Sequence, residues 1–212
     1  MKKIIFCCLI AVLFSCGKDD EPITGTIFSV NYIQEYLYPE ELELAFWEGG
    51  TLLGCFQGEW VNNRRPKDEE RYAVLSEKYN DKNWNQRTLP GSTIVIDESV
   101  EYLTVTCDRR FDEGHDTGVS LNDLVMLRAS SPYDFIRDGY KITDPSLPRE
   151  GVSDGFIVTE GLLSEIGIKD IRLLNPEFRL TFTKFPAPGE YIFTVTAKIG
   201  EKEINQSIKI TF

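Results

Sequence analysis

Tyr191-Ile-Phe-Thr-Val-Thr-Ala-Lys-Ile199, then Gly200-Glu-Lys202, then Ile204-Asn-Gln-Ser-Ile-Lys-Ile-Thr-Phe212 is the stretch that decides the fold class. In its first part Tyr191, Phe193, Val195, Ala197 and Ile199 alternate with Thr194, Thr196 and Lys198, which is the period of a strand with one buried face. Gly200, Glu201 and Lys202 make a turn. The alternation then resumes, with Ile204, Ile208, Ile210 and Phe212 on one face and Asn205, Ser207, Lys209 and Thr211 on the other. The pair predicts a β-hairpin that closes a domain.

Working outward, further short strands are expected over Thr26–Ile33, Leu42–Phe46, Thr93–Ile96, Glu101–Cys107, Asp123–Ala129 and Phe178–Lys184, with Leu103, Val105 and Cys107 facing one way. Many short strands separated by Gly and Pro turns, with few long helical patterns, indicate an all-β sandwich. Two segments depart from the pattern. Gln57 to Ser92 is strongly polar, and within it Lys67 to Tyr79 places Tyr72, Leu75 and Tyr79 at the i, i+3, i+7 spacing of a short surface helix. Thr159 to Ile168, with Leu162, Leu163 and Ile166, suggests one or two helical turns.

Pro186-Ala-Pro-Gly-Glu-Tyr191 sets a Tyr just after a Gly-containing turn at the start of a strand. This resembles the corner that opens the penultimate strand of immunoglobulin-like sandwiches, where the Tyr hydroxyl bonds back to the backbone. The resemblance implies an immunoglobulin-like β-sandwich over residues 26–212, carrying a polar, partly helical insertion.

The N-terminus reads differently. Met1, Lys2 and Lys3 form a positive start and Ile4 to Phe14 an apolar run, the form of an export signal over residues 1–15. The run is too short to span a bilayer, which takes roughly 20 apolar residues. Leu13-Phe14-Ser15-Cys16 resembles the lipobox of bacterial lipoproteins, which implies cleavage before Cys16 and acylation of its sulfur. Phe14 is bulkier than that position usually carries. Acyl chains contribute about 0.8 kcal/mol per buried methylene, so a multiply acylated cysteine anchors stably. The next residues, Gly17-Lys18-Asp19-Asp20-Glu21, resemble the export signal of Bacteroidota surface lipoproteins, in which Lys18, Asp19, Asp20 and Glu21 would direct the chain to the cell exterior. A charged spacer over residues 16–25 that keeps the domain off the headgroups is the plainer alternative. Leu103 to Asp123 also resembles lipoproteins of gut Bacteroidota, a likeness that carries no activity with it.

Removing Lys2 and Lys3 with the signal takes the formal charge from -11 to -13. Nucleic-acid partners are not expected, because a phosphate backbone needs clustered Lys and Arg. Membrane contact would come from the lipid anchor. Of five cysteines, Cys55 and Cys107 remain for the domain, either as a disulfide or as two buried thiols.

Asp108, Asp112, Glu113 and Asp116 crowd one loop around His115, the single histidine. Hard carboxylate oxygens suit Ca²⁺, although the spacing is not that of an EF-hand and Arg109 and Arg110 intervene. The same charges could pair with one another, with His115 on an exposed loop. No nucleophile elbow, zinc-protease helix or phosphate loop occurs, so catalysis is not expected. Trp60 and Trp84, with Tyr72, Tyr79 and neighbouring Asn residues, would suit a glycan if exposed, and would anchor the insertion if not. Trp47, beside Phe46, is expected in the core. The expected function is therefore a non-catalytic surface binding module, for glycan or as an accessory to outer-membrane uptake. The alternatives are a protein-interaction lipoprotein with an edge strand or a loop such as Ser130–Gly155 as its contact, and a hydrolase using carboxylates.

Overall fold

Alternation of apolar and polar residues builds most of the chain into strands, and the computed structural model describes them over residues 26–47, 49–88, 93–149 and 155–212. Cys16 and Lys18 to Glu21 lie outside the described residues, as does part of the loop expected over Ser130–Gly155. In chain order the elements are β1 (Ile27–Ser29), β2 (Glu35–Trp47), β3 (Thr51–Asn62), α1 (Glu69–Lys78), β4 (Gln86–Thr88), β5 (Ile94–Ile96), β6 (Val100–Cys107), β7 (Val125–Ser131), α2 (Tyr133–Arg137), β8 (Ile157–Leu162), β9 (Glu177–Phe182), β10 (Glu190–Ile199) and β11 (Lys202–Thr211).

The C-terminal hairpin forms as expected. β10 and β11 pair antiparallel from Glu190 opposite Thr211 to Ile199 opposite Lys202, and Gly200 supplies the positive φ of the turn. β6 joins the other side of β10, setting Cys107, Val105 and Leu103 against Phe193, Val195 and Ala197. Facing this three-stranded sheet is a six-stranded one in the order β5-β2-β3-β9-β7-β8. Taking β2-β3-β9-β7 against β6-β10-β11 gives the four-plus-three strand order of an immunoglobulin constant-type sandwich, with β5 and β8 added at the edges. The Tyr191 hydroxyl donates to the Ala187 carbonyl at 3.0 Å, closing the tyrosine corner.

Between the sheets lies the main core, which includes Leu52, Phe56, Leu127, Leu180, Phe182, Phe193 and Val195. Each such side chain removed from water contributes about 1.5–3 kcal/mol. A second core lies on the far side of the larger sheet. At one end of β2, Leu37 points into the sandwich while Tyr36 points away from it, and on β3 Trp60 points in while Val61 points away. The outward residues are covered by α1 through Tyr72 and Leu75 and by α2 through Phe135 and Ile136, together with Tyr32 and Ile33. Asp81, fully buried, fastens this layer: its carboxylate accepts the backbone N–H groups of Tyr32 and Ile33 and the Tyr140 hydroxyl, each at 2.8 Å. Burial holds that carboxyl above its ordinary pKa.

Several expectations need correction. β3 runs through Asn62, so the insertion begins only at Asn63. Thr159 to Ile168 begins in strand β8, whose Met126–Leu162 and Arg128–Glu160 pairs extend the sheet, and only afterwards turns. Of Thr26–Ile33 just three residues pair, with β4.

Candidate functional site

The aromatic residues expected on an open platform lie largely inside. Tyr72 is 5% exposed and its hydroxyl donates to the Ile33 carbonyl at 2.5 Å. Tyr79 is half-buried against Tyr36 and donates to Asp97. Trp84 makes edge contacts with Tyr32 and Phe135 and a tilted one with Tyr140. Trp60 sits opposite Leu37 and packs on the main core. Tyr72, Tyr79 and Trp84 hold the insertion to the sandwich, Trp60 packs within the sandwich itself, and the four do not form a shared exposed face. Trp47 reverses the expectation in the other direction: it is 64% exposed. Alternation explains the reversal. Phe46 and Trp47 are adjacent in a strand, so Phe46 turns inward to meet Phe212 and Trp47 must turn outward.

The acidic loop does not gather its oxygens. Asp108 accepts the Ile192 backbone N–H at 2.9 Å, Asp116 pairs with Arg110 at 3.5 Å, and the Glu113 side chain makes no hydrogen bond or ion pair among the described residues. Among the described residues no group of three or more His, Cys, Asp and Glu side chains converges on a point where a metal ion could sit. The Ca²⁺ reading of Asp108, Asp112, Glu113 and Asp116 is therefore not the arrangement found. His115 is not a freely exposed loop residue either. Its Nδ1 lies 2.7 Å from Asp112 and its Nε2 3.0 Å from Asp123, with the side chain 14% exposed. Lys184 reaches Asp112 from the β9–β10 connection. The hydrogen bond to Asp112 and the one to Asp123 raise the His115 pKa, and Lys184 and His115 hold the Asp112 carboxyl well below the carboxylate range. When protonated, the ring donates from both nitrogens to Asp112 and Asp123 within the β6–β7 connection, Lys184 ties that connection to the β9–β10 one through Asp112, and neither ring nitrogen is then left to accept a proton from a substrate.

Cys55 and Cys107 are free thiols. Cys107 points into the main core from β6, whereas Cys55 lies on the outer face of β3 beside Gln57, so a sheet separates them and no disulfide can span it. Burial, with Glu177 and Glu43 nearby, pushes the Cys55 thiol up to about 11.

The remaining open ground is the half of the larger sheet's outer face that the helices leave uncovered. Register places its residues in rows. Trp47, Thr51, Thr181, Met126 and Leu162 form one, and Ala45, Leu53, Arg179, Arg128 and Glu160 the next. The Thr51 and Thr181 hydroxyls are 3.0 Å apart, Gln57 bonds Glu43 at 3.3 Å, and Arg128 pairs with Glu160 at 2.6 Å. α1 walls off one end through the Arg71–Glu59 pair, with Arg71 also lying over the Tyr38 ring. Strand geometry makes the shelf about 20 Å along the strands and about 20 Å across them. Trp47 stands at its far end, and nothing in the sequence short of the correct phase of β2 could have placed it there.

No known protein family matches the chain, and neither does any curated protein or solved structure. Among the described residues no helix is long and apolar enough to cross a membrane.

Proposed function

We propose that this chain is a lipid-anchored cell-surface protein whose sandwich serves as a non-catalytic binding module, of the accessory kind that holds a ligand for an outer-membrane uptake system. The observation that carries the binding part of this reading is the rigid, open half-face of the larger sheet with Trp47 exposed on it. A rigid sheet presents side chains at fixed spacing, which suits recognition. The occupied nitrogens of His115 and the raised pKa values of both thiols support a role without nucleophilic or acid–base chemistry. The anchor rests on Leu13-Phe14-Ser15-Cys16, and outward display on Lys18-Asp19-Asp20-Glu21.

Fatty-acid labelling of cells expressing the full chain tests the anchor, and protease treatment of intact cells tests its side of the membrane. The expected result is label and protease sensitivity in the native chain, with label lost in Cys16→Ser. An unlabelled native chain, or one protected from protease until cells are broken, would remove this reading. A second reading, a protein-interaction lipoprotein, is favoured by the aromatic corner where Phe46 and Phe185, 40% and 54% exposed, flank Phe212 at the end of the sandwich.

A further inference from the structure

We infer that the Trp47 shelf is a binding site for a neutral oligosaccharide, an assignment that rests on the binding-module reading and names its ligand class. The indole of Trp47 is the one large ring that the larger sheet turns outward on its uncovered half. Among the described residues no ring contact, ion pair or hydrogen bond engages its side chain, in contrast to the three ring contacts of Trp84. What surrounds it is not further aromatic surface. Across the strands the neighbours are the paired hydroxyls of Thr51 and Thr181, and the row behind them carries the exposed guanidinium of Arg179. Further along are the Gln57 amide and the Glu43 carboxylate.

A pyranose ring matches this composition. Its C–H face packs on an indole, and its equatorial hydroxyls both donate and accept, so they can meet carboxylates, hydroxyls, amides and guanidinium in turn. A peptide segment docking by burial would need a broader continuous apolar patch than this shelf offers, where Thr51, Thr181 and Arg179 separate Trp47, Ala45 and Leu53 from Met126 and Leu162. Charge argues for a neutral ligand, because the shelf's arginines, Arg128 and Arg179, are interspersed with Glu43, Glu160 and Glu177, so no single sign dominates the face. The shelf's length, about 20 Å from the α1 wall to Trp47, takes several sugar residues laid along the strands. Binding of this kind needs no rearrangement, since β3 and β9 are each paired on both sides and β3 holds β2 along Leu42–Trp47.

The test is isothermal titration of the full-length chain in detergent against a panel of neutral oligosaccharides of glucose, mannose, xylose and galactose. The expected result is saturable binding to at least one of them. Trp47→Ala should weaken it by at least about tenfold, Trp47→Phe should retain part of it, and Thr51→Val should weaken it severalfold. Trp84→Phe, with circular dichroism confirming the fold, should leave affinity unchanged. Binding that survives Trp47→Ala at full strength overturns the site. A panel with no binder overturns the ligand class, as does capture of an extended peptide by the same shelf in place of sugar. Labelling through Cys16 and protease exposure on cells are independent of Trp47, so failure here and failure of the anchored-module reading register separately.

Discussion

At the scale of single residues, His115 and Tyr191 show opposite kinds of legibility. Tyr191 follows a Pro-Gly turn and begins an alternating strand, and that local pattern is enough to announce its bond to the Ala187 carbonyl. Tyr191→Phe keeps the ring and loses one hydrogen bond, so it should lower stability by about 1 kcal/mol in chemical denaturation. The surroundings of His115 depend on Asp123, eight residues on in the same β6–β7 connection, and on Lys184, which reaches its partner Asp112 from the β9–β10 connection, and no local spacing encodes that meeting. Its clamp has a definite pH dependence. The folded-state pKa is raised above the ordinary value of about 6.5, so the stabilisation is complete below that value and is lost as pH rises through the folded pKa. The neutral ring can donate from only one nitrogen and must turn the other's lone pair toward a carboxylate. Asp112, with its pKa lowered, adds a contribution that is present above about pH 4 and lost below it. Thermal melts of the native chain and His115→Gln should therefore differ most near pH 5–6 and converge by pH 9. A gap that is constant with pH would mean the imidazolium is not the stabilising form.

Among the elements, the hairpin β10–β11 and strand β6 were legible because each has one face in the core and one in water. β3 was missed for the complementary reason. Near Asn62 both of its faces are covered, Trp60 by the main core and Val61 by the second, so apolar residues stand side by side and the period of two disappears. Toward Thr51 its inward positions include Gly54, where the Phe178 ring fills the space that a side chain would take. β2 was read only in part because its register shifts between Pro39 and Glu41. Gly58 faces that bulge, and a Cβ there would come within 2.1 Å of the Tyr38 carbonyl oxygen and 2.9 Å of the Glu40 nitrogen. Backbone atoms cannot swing aside as a side chain can. Gly58→Ala should thus cost about 2–3 kcal/mol, measured by urea denaturation, whereas Gly118→Ala, with open space but a positive φ of 75°, should cost about 1 kcal/mol. Equal costs at the two positions would contradict the backbone clash.

On the scale of the whole molecule, the sandwich has a core on each side of its larger sheet, and the buried Asp81 carboxylate fastens the second. Asp81→Ala leaves the Tyr32 and Ile33 amides without their acceptor, at about 1–3 kcal/mol for each buried group so stranded. Hydrogen exchange should quicken through α1 and residues 31–34 in that variant while β6 and β10 stay protected; uniform quickening would show that the two cores melt as one. The direction of β2 has a consequence of another kind. It leaves the helical layer at Glu35 and ends at Trp47, a run of roughly 40 Å, so the segment that follows the chain's N-terminal portion and the exposed indole sit at opposite poles. For a chain fastened through Cys16, that span is several times the ~8 Å Debye length of physiological saline. With β2 upright on such an anchor, whatever meets Trp47 would do so outside the electrostatic reach of the lipid headgroups, and its capture would be indifferent to the charge of the membrane beneath.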